Sequence, residues 1–323
     1  MAAATGQREQ MEDFFVARRF DLAGGGGAGA APGAGARPGP SAAGLFGVFD
    51  GHSGTACAEF VARRVPEILG GSGLGAGDGR AATRALRTAL LQADAEFRDA
   101  GGPEQAHSGS TALVALAEEG RLLVASVGDS RAVLSRKGAA AELTVDHKPD
   151  APGELTRIES AGGHVVDGYL DGNISVSRAL GNWHMAIKTD AGGPLTAEPD
   201  LVDRPLGPED EFVLLACDGL FEVFTSQSAV DFARRQLRVH NDPTKCAEAV
   251  VQEALKRGTM DNVTLILVAF DVELPPLRNP RLPRNGGMTR TLSGDALSTL
   301  QRSISESEEQ MPGRGEVFTP MCE

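Results

Sequence analysis

Cysteine is scarce in this 323-residue chain: Cys57, Cys217, Cys246 and Cys322 stand far apart, with no CxxC pair among the four. That spacing excludes a zinc ribbon and offers no secreted disulfide framework, so the thiols read as reduced. Long apolar runs are missing too, since none approaches the roughly 18 residues of a membrane span. The opening residues MAAATGQREQ lack the basic-then-apolar order of a secretory leader, and Ala2 stands where myristoylation needs glycine. Basic side chains are outnumbered, 31 against 44 acidic, and the formal charge of −13 disfavours both a phosphate-backbone partner and an anionic membrane surface. The expectation is a cytoplasmic or nuclear monomer with no nucleic-acid or membrane partner.

Hydrophobic residues make up 41% of the chain, enough for a substantial core. The 41 glycines and 18 prolines stay below the roughly 25 to 30% that marks low-complexity sequence. A Gly/Ala/Pro-rich loop at 23–40 separates two apolar segments, 14–20 and 45–49, read as strands. Residues 55–69 and 80–98 have helical spacing, with Leu86, Ala89, Leu90, Ala93 and Phe97 on one face. Short apolar runs at 111–117, 122–127 and 132–135 are too closely spaced for crossover helices and predict antiparallel hairpins. A brief helix at 153–161 leads into an irregular stretch, 162–200, that contains the single Tyr169 and the single Trp183. A strand at 211–217, helices at 226–239 and 244–257, and a strand at 262–270 follow. Strands in groups and helices in pairs give an α+β fold. The domain is expected to span 1–273, and the Ser/Arg/Pro-rich residues 274–323 form a disordered tail, with too few large apolar side chains to offset ordering entropy.

Two apolar runs end alike, in Phe49-Asp50-Gly51-His52 and Cys217-Asp218-Gly219. A buried strand delivers a carboxylate to the core edge, and the glycine lets the backbone turn and expose its carbonyl. Asp-Gly is also an ordinary turn dipeptide, which suffices for Asp78-Gly79, Asp167-Gly168 and Asp171-Gly172. The first two pairs keep other company: Glu12-Asp13 before a strand, Gly128-Asp129-Ser130 after one, and Asp261-Asn262 before the last. If these tips converge, their repulsion calls for cations, and oxygen ligands without clustered His or Cys select Mg²⁺ or Mn²⁺ in a binuclear site. Arg8 offers a bidentate fork for phosphate oxygens, and His52 a proton donor for a leaving group.

Eight segments in order, REQMED at 8–13, VFDGHSG at 48–54, SGSTA at 108–112, VGDSR at 127–131, DHKP at 146–149, SRALG at 177–181, ACDG at 216–219 and DNVT at 261–264, resemble the type 2C metal-dependent protein serine/threonine phosphatases, the PPM family. The resemblance implies a central β-sandwich of two antiparallel sheets flanked by helices on both faces. It also implies hydrolysis of phosphoserine and phosphothreonine in phosphoprotein substrates by water between two metal ions. By that resemblance Asp50 bridges the metals, the Gly51 carbonyl binds one, and Asp218 and Asp261 bind the other. Glu12 and Asp13 act through water, Arg8 grips the phosphate, and His52 is the general acid.

The chain departs from the family pattern in four places. Seven residues precede Arg8, so the expectation is either a missing sheet edge or an incomplete N-terminus. Asn182 follows SRALG where Asp is usual, and the stretch 182–196 is short and unlike the common flap forms. Glu222 stands at a position associated with a weak third metal, with Asp129 and Asp218 as its other ligands. A catalytically inactive scaffold is the alternative, but it would be expected to have lost Asp50, Asp218 or Asp261, and all three are present. A metal-dependent nuclease would also use clustered carboxylates, but it conflicts with the charge of −13. In the tail, Ser293 and Ser305 each follow an arginine by three positions and are candidate kinase sites.

Overall fold

A computed structural model describes residues 1–21, 42–74, 78–102, 105–118, 120–185 and 193–270. The loop at 23–40 and the tail at 274–323, with Ser293 and Ser305, lie outside the described residues. In chain order the first elements are β1 (Ala2–Ala4), β2 (Phe14–Asp21), β3 (Ala42–Phe49), β4 (Gly51–His52), α1 (Ala56–Gly71), α2 (Gly79–Ala100), β5 (Gly109–Ser110) and β6 (Ala112–Glu118). Next come β7 (Arg121–Val127), β8 (Arg131–Arg136), β9 (Ala139–Glu142), α3 (Pro152–Ser160), β10 (Val165–Val166), β11 (Tyr169–Leu170) and β12 (Leu180–Gly181). The last are β13 (Asp200–Pro205), β14 (Asp210–Ala216), α4 (Asp218–Phe221), α5 (Ser226–His240), α6 (Pro243–Lys256) and β15 (Val263–Ala269). Among the described residues no helix is long and apolar enough to cross a membrane.

Two five-stranded antiparallel sheets form the centre, in the orders β1, β15, β14, β8, β9 and β13, β7, β6, β3, β2. Side chains alternate between the faces of a strand, and β14 shows the consequence. Val213 and Leu215 face the opposing sheet, where Val48, Leu113 and Val124 await them. Phe212 and Leu214 face α5 and α6, against Val230, Leu237 and Val250. A strand buried on both faces must be apolar where it is covered, which is why 212–217 reads as an unbroken apolar run after the half-buried Glu211. The other sheet is covered by α1 and α2, whose Val61, Val65, Leu86, Leu90 and Phe97 pack on Leu45, Val114 and Leu123. Asp78 opens α2 by accepting the Ala81 N–H at 2.9 Å, an N-cap worth about 1 kcal/mol.

The structure corrects several expectations. The sheet edge before Arg8 is present: β1 pairs antiparallel with β15, Ala4 opposite Val263. Three alanines have neither alternation nor β-branching, so this strand exists through its long-range partner. The stretch 162–200 is not wholly irregular, since β10 and β11 form a hairpin and β12 pairs with β5. Strand β13, whose sequence Asp-Leu-Val-Asp-Arg-Pro is half charged, was not expected. It lies at a sheet edge beside β7, and an edge position tolerates both the charges and the proline.

Candidate metal centre

Antiparallel register determines which strand ends meet. Phe14 pairs with Phe49, Val48 with Leu113 and Ala112 with Val127. Ala216 pairs with both Arg131 and Leu265. The start of β2, the end of β3, the β7–β8 turn, the end of β14 and the start of β15 therefore share one end of the sandwich. Asp50, Asp129, Asp218 and Asp261 line a cavity there of about 440 Å³, together with Arg8, Glu12, Gly51 and His52. Carboxylate oxygens of Asp50, Asp129 and Asp218 lie within 4.8 Å of one another, and so do ligand atoms of Asp13, Asp50 and Cys217.

So much negative charge in a buried space is costly. Burial, and then the charges of Asp13, Asp218 and Asp129, raise Asp50 well above the ordinary carboxylate range. Burial and Asp129 push Asp218 up to about 7, and burial raises Asp13. Both Asp13 oxygens and Asp218 Oδ1 are buried with no hydrogen-bond partner among the described residues. Orphaned, mutually repelling oxygens fit hard divalent cations, which would take up the unused lone pairs and the excess charge.

A pH dependence follows for protein stripped of divalent ions. A carboxyl whose pKa is higher folded than unfolded binds its proton more tightly in the native state, so stability falls as pH rises from the ordinary value to the raised one. For Asp218 that window runs from 3.8 to about 7. The stripped protein is expected to lose several degrees of melting temperature between about pH 4 and pH 7, and Mn²⁺ at pH 7 to restore them. A flat melting profile across that range, measured by calorimetry, would sink this account of the cluster.

The remaining residues hold this centre in shape. Gly51 is required by close approach, because a Cβ there would lie 2.3 Å from the Glu12 carbonyl oxygen. Glu12 Oε1 accepts the Gly54 N–H at 2.7 Å, so the Glu12-Asp13 segment and the β3–α1 connection are tied. Arg8 Nη2 donates to Asp261 Oδ2 at 2.7 Å, which leaves the exposed guanidinium at the mouth of the cavity. Asp129 forms an ion pair with Lys148. Burial opposes the lysine charge, but Asp129 more than restores it and raises the Lys148 pKa.

Glu222 is not among the carboxylates whose oxygens lie within 4.8 Å of one another, although its charge still raises Asp218. Its Oε2 accepts from Thr259 Oγ1 at 2.9 Å and from the Met260 N–H at 3.1 Å, so the chain leading into Asp261 holds the carboxylate that was expected beside Asp129.

Several positioning residues were not assigned roles from the sequence. Asn262 accepts the Glu12 N–H at 2.7 Å and donates through Nδ2 to the carbonyls of Thr5 and Gln10 at 3.0 Å. It staples the segment carrying Arg8, Glu12 and Asp13 to β15. Thr111 Oγ1 accepts the Asp50 N–H at 3.1 Å, and its own N–H donates to the Asp50 carbonyl at 2.8 Å. Cys217, raised well above the usual thiol range by burial and by Asp13 and Asp50, stays protonated and donates to the Asn262 carbonyl at 3.3 Å. The signal for Asn262 and Thr111 was their adjacency to Asp261 and Ser110 in the quoted motifs. What they bond to is 250 and 61 residues away in sequence.

A helix-flanked double-sheet sandwich with a carboxylate cleft and an arginine at its mouth defines a metal-dependent enzyme of phosphate chemistry. The family model described as Protein phosphatase 2C matches residues 3–263, and the chain belongs to that family. It is 42% identical over 307 residues to the probable protein phosphatase 2C 57 of Oryza sativa subsp. japonica, covering 93% of this chain and 78% of that one. It is 45% identical over 270 residues to the probable protein phosphatase 2C 22 of Arabidopsis thaliana, covering 81% and 67%. The serine-threonine phosphatase 2C of Toxoplasma gondii shares the fold, with a TM-score of 0.66 at 24% identity, covering 84% of this chain and 93% of that one. The protein is thus a metal-dependent protein serine/threonine phosphatase acting on phosphoproteins.

Proposed function

We propose that this phosphatase hydrolyses phosphoserine and phosphothreonine at a pair of Mg²⁺ or Mn²⁺ ions. Asp50 would be shared between them, the Gly51 carbonyl would be on one, and Asp218 and Asp261 on the other. The observation that carries the reading is the cluster of Asp13, Asp50, Asp129 and Asp218, with its buried unpartnered oxygens. Bound there, hard cations supply Lewis acidity and an acidified water for in-line attack on phosphorus. Glu12 and Asp13 would hold such ions through water, Arg8 would draw the phosphate dianion to the cavity mouth, and His52 would hold the proton that the departing serine or threonine oxygen needs. Asp129, with Asp218, is the place for a weaker third ion, in competition with Lys148.

The test is phosphate release from a phosphothreonine peptide by the full chain in Mn²⁺, then in excess chelator, then after Mn²⁺ is returned. Activity is expected to vanish and come back. Turnover that survives chelation, or a chain that binds Mn²⁺ and a phosphopeptide without releasing phosphate, would overturn the reading, the latter in favour of an inactive scaffold.

A further inference from the structure

Strands β12, β5 and β4 form a small sheet in which Gly181 pairs with Gly109 and Gly109 pairs with His52. The outer two strands of such a sheet are about 9.5 Å apart, so side chains from them can meet only over the middle strand. At that point the middle strand has no side chain. A Cβ on Gly109 would lie 2.0 Å from Asn182 Oδ1 and 2.2 Å from His52 Nε2, and through the gap these two atoms approach to 2.9 Å. The contact joins positions 130 residues apart at the wall of the catalytic cavity, which both residues line.

We infer that Asn182 is the positioning residue of His52, holding the ring by Nε2 and fixing the tautomer of its neutral form. The inference rests on the reading of His52 as the proton donor. Asn182 Nδ2 donates to the His107 carbonyl at 3.2 Å. A carbonyl can only accept, so the amide oxygen is the end that faces His52. An amide oxygen also only accepts, so Nε2 must carry hydrogen. The exchangeable second proton then belongs to Nδ1. As the P–O bond breaks, its electron pair stays on the serine or threonine oxygen, which takes that proton. Water has supplied the new oxygen to phosphorus, and the ring is left neutral with Nε2–H still on Asn182.

The holder is itself rigid. Asn182 is 2% exposed and sits at φ +57°, a left-handed conformation that asparagine tolerates better than most residues. Its N–H donates to the Ser108 carbonyl at 2.9 Å, and its carbonyl accepts the Met185 N–H at 3.0 Å. On either side the chain is anchored to α2: the Gly181 N–H donates to Asp94 Oδ1 at 2.7 Å, and Arg98 lies 4.8 Å over the Trp183 ring. The His107 ring, whose backbone carbonyl receives the amide, stacks on His184 at 4.0 Å. Few freedoms remain in the amide, and therefore few in the imidazole.

The test compares Asn182→Gly and Asn182→Asp, each alone and combined with His52→Gln, on a phosphoserine peptide and on p-nitrophenyl phosphate in saturating Mn²⁺. Glycine accepts the positive φ, so its variant removes the amide without straining the chain. Asn182→Gly is expected to lower kcat on the peptide about 10- to 100-fold, a share of the usual general-acid contribution. The expected change on p-nitrophenyl phosphate is far smaller, because its phenolate leaves without a proton. Asn182→Asp, which keeps an acceptor, should recover most of the peptide rate, and Asn182→Gly should cost nothing further once His52 is Gln. In ¹⁵N-histidine NMR of the neutral ring, His52 should be protonated at Nε2, and should become a tautomer mixture in Asn182→Gly. Equal losses on both substrates, or a full additional loss in the His52→Gln background, would show that Asn182 acts elsewhere. An unchanged tautomer in Asn182→Gly would overturn the inference even if activity fell. The proton-donor reading fails separately, if His52→Gln alone loses equally on both substrates.

Discussion

Replacing Asp50 or Asp218 with asparagine should lower turnover of a phosphothreonine peptide by about three orders of magnitude or more, with the fold intact. Each substitution removes a carboxylate that would hold a cation, and with it the activation of water that the ion supplies. Loss of fold is not the cause, because the same carboxylates repel one another. Asp218 raises Asp50, and Asp129 raises Asp218. In protein stripped of divalent ions, Asp50→Asn should melt at or above the wild-type temperature, even though its activity in Mn²⁺ has collapsed. Activity and stability thus move in opposite directions, a pattern that neither misfolding nor a scaffold role would produce. Wild-type turnover with unchanged metal content in either variant would refute the site assignment.

For His52→Gln the expected loss depends on the substrate. A serine alkoxide is a poor leaving group, so the peptide rate should drop by about 10²- to 10⁴-fold. Nitrophenolate departs largely unaided, and its release should fall by about tenfold or less. Glutamine keeps a donor and a similar length, so the contact with Asn182 need not be lost and the change isolates the proton. If both substrates suffer alike, His52 is orienting the Gly51 carbonyl or the β3–α1 connection instead of supplying a proton.

Most of the architecture was legible because it is local. Apolar alternation and the 3.6-residue period report which faces are buried, and burial on both sides of β14 writes itself as a continuous apolar run. The strand-end carboxylates were legible for the same reason, since a run that stops at Asp-Gly declares where its side chain emerges. β1 and β13 were not legible, because three alanines and a half-charged segment become strands through hydrogen bonds to β15 and β7. Glu222 shows what a motif leaves open: its place suggested a role beside Asp218, whose pKa its charge does raise, while Thr259 and the Met260 N–H take its Oε2.

By itself, then, the sequence determined an α+β fold, the helical faces and the strand-end carboxylates Glu12, Asp13, Asp50, Asp129, Asp218 and Asp261 as candidate ligands. All of these follow from residue type and spacing within a dozen positions. The sandwich, and the roles of Arg8 and His52, were expected through the family resemblance. The tertiary structure alone decided that the Asp50, Asp129 and Asp218 oxygens lie within 4.8 Å, that burial and Asp129 push Asp218 up to about 7, and that Asn182 reaches His52 across Gly109. Coulomb energy depends on the distance between charges and on the water excluded from between them, and a hydrogen bond depends on a few tenths of an ångström. Both are set by the register of strands far apart in the chain, which local periodicity does not encode.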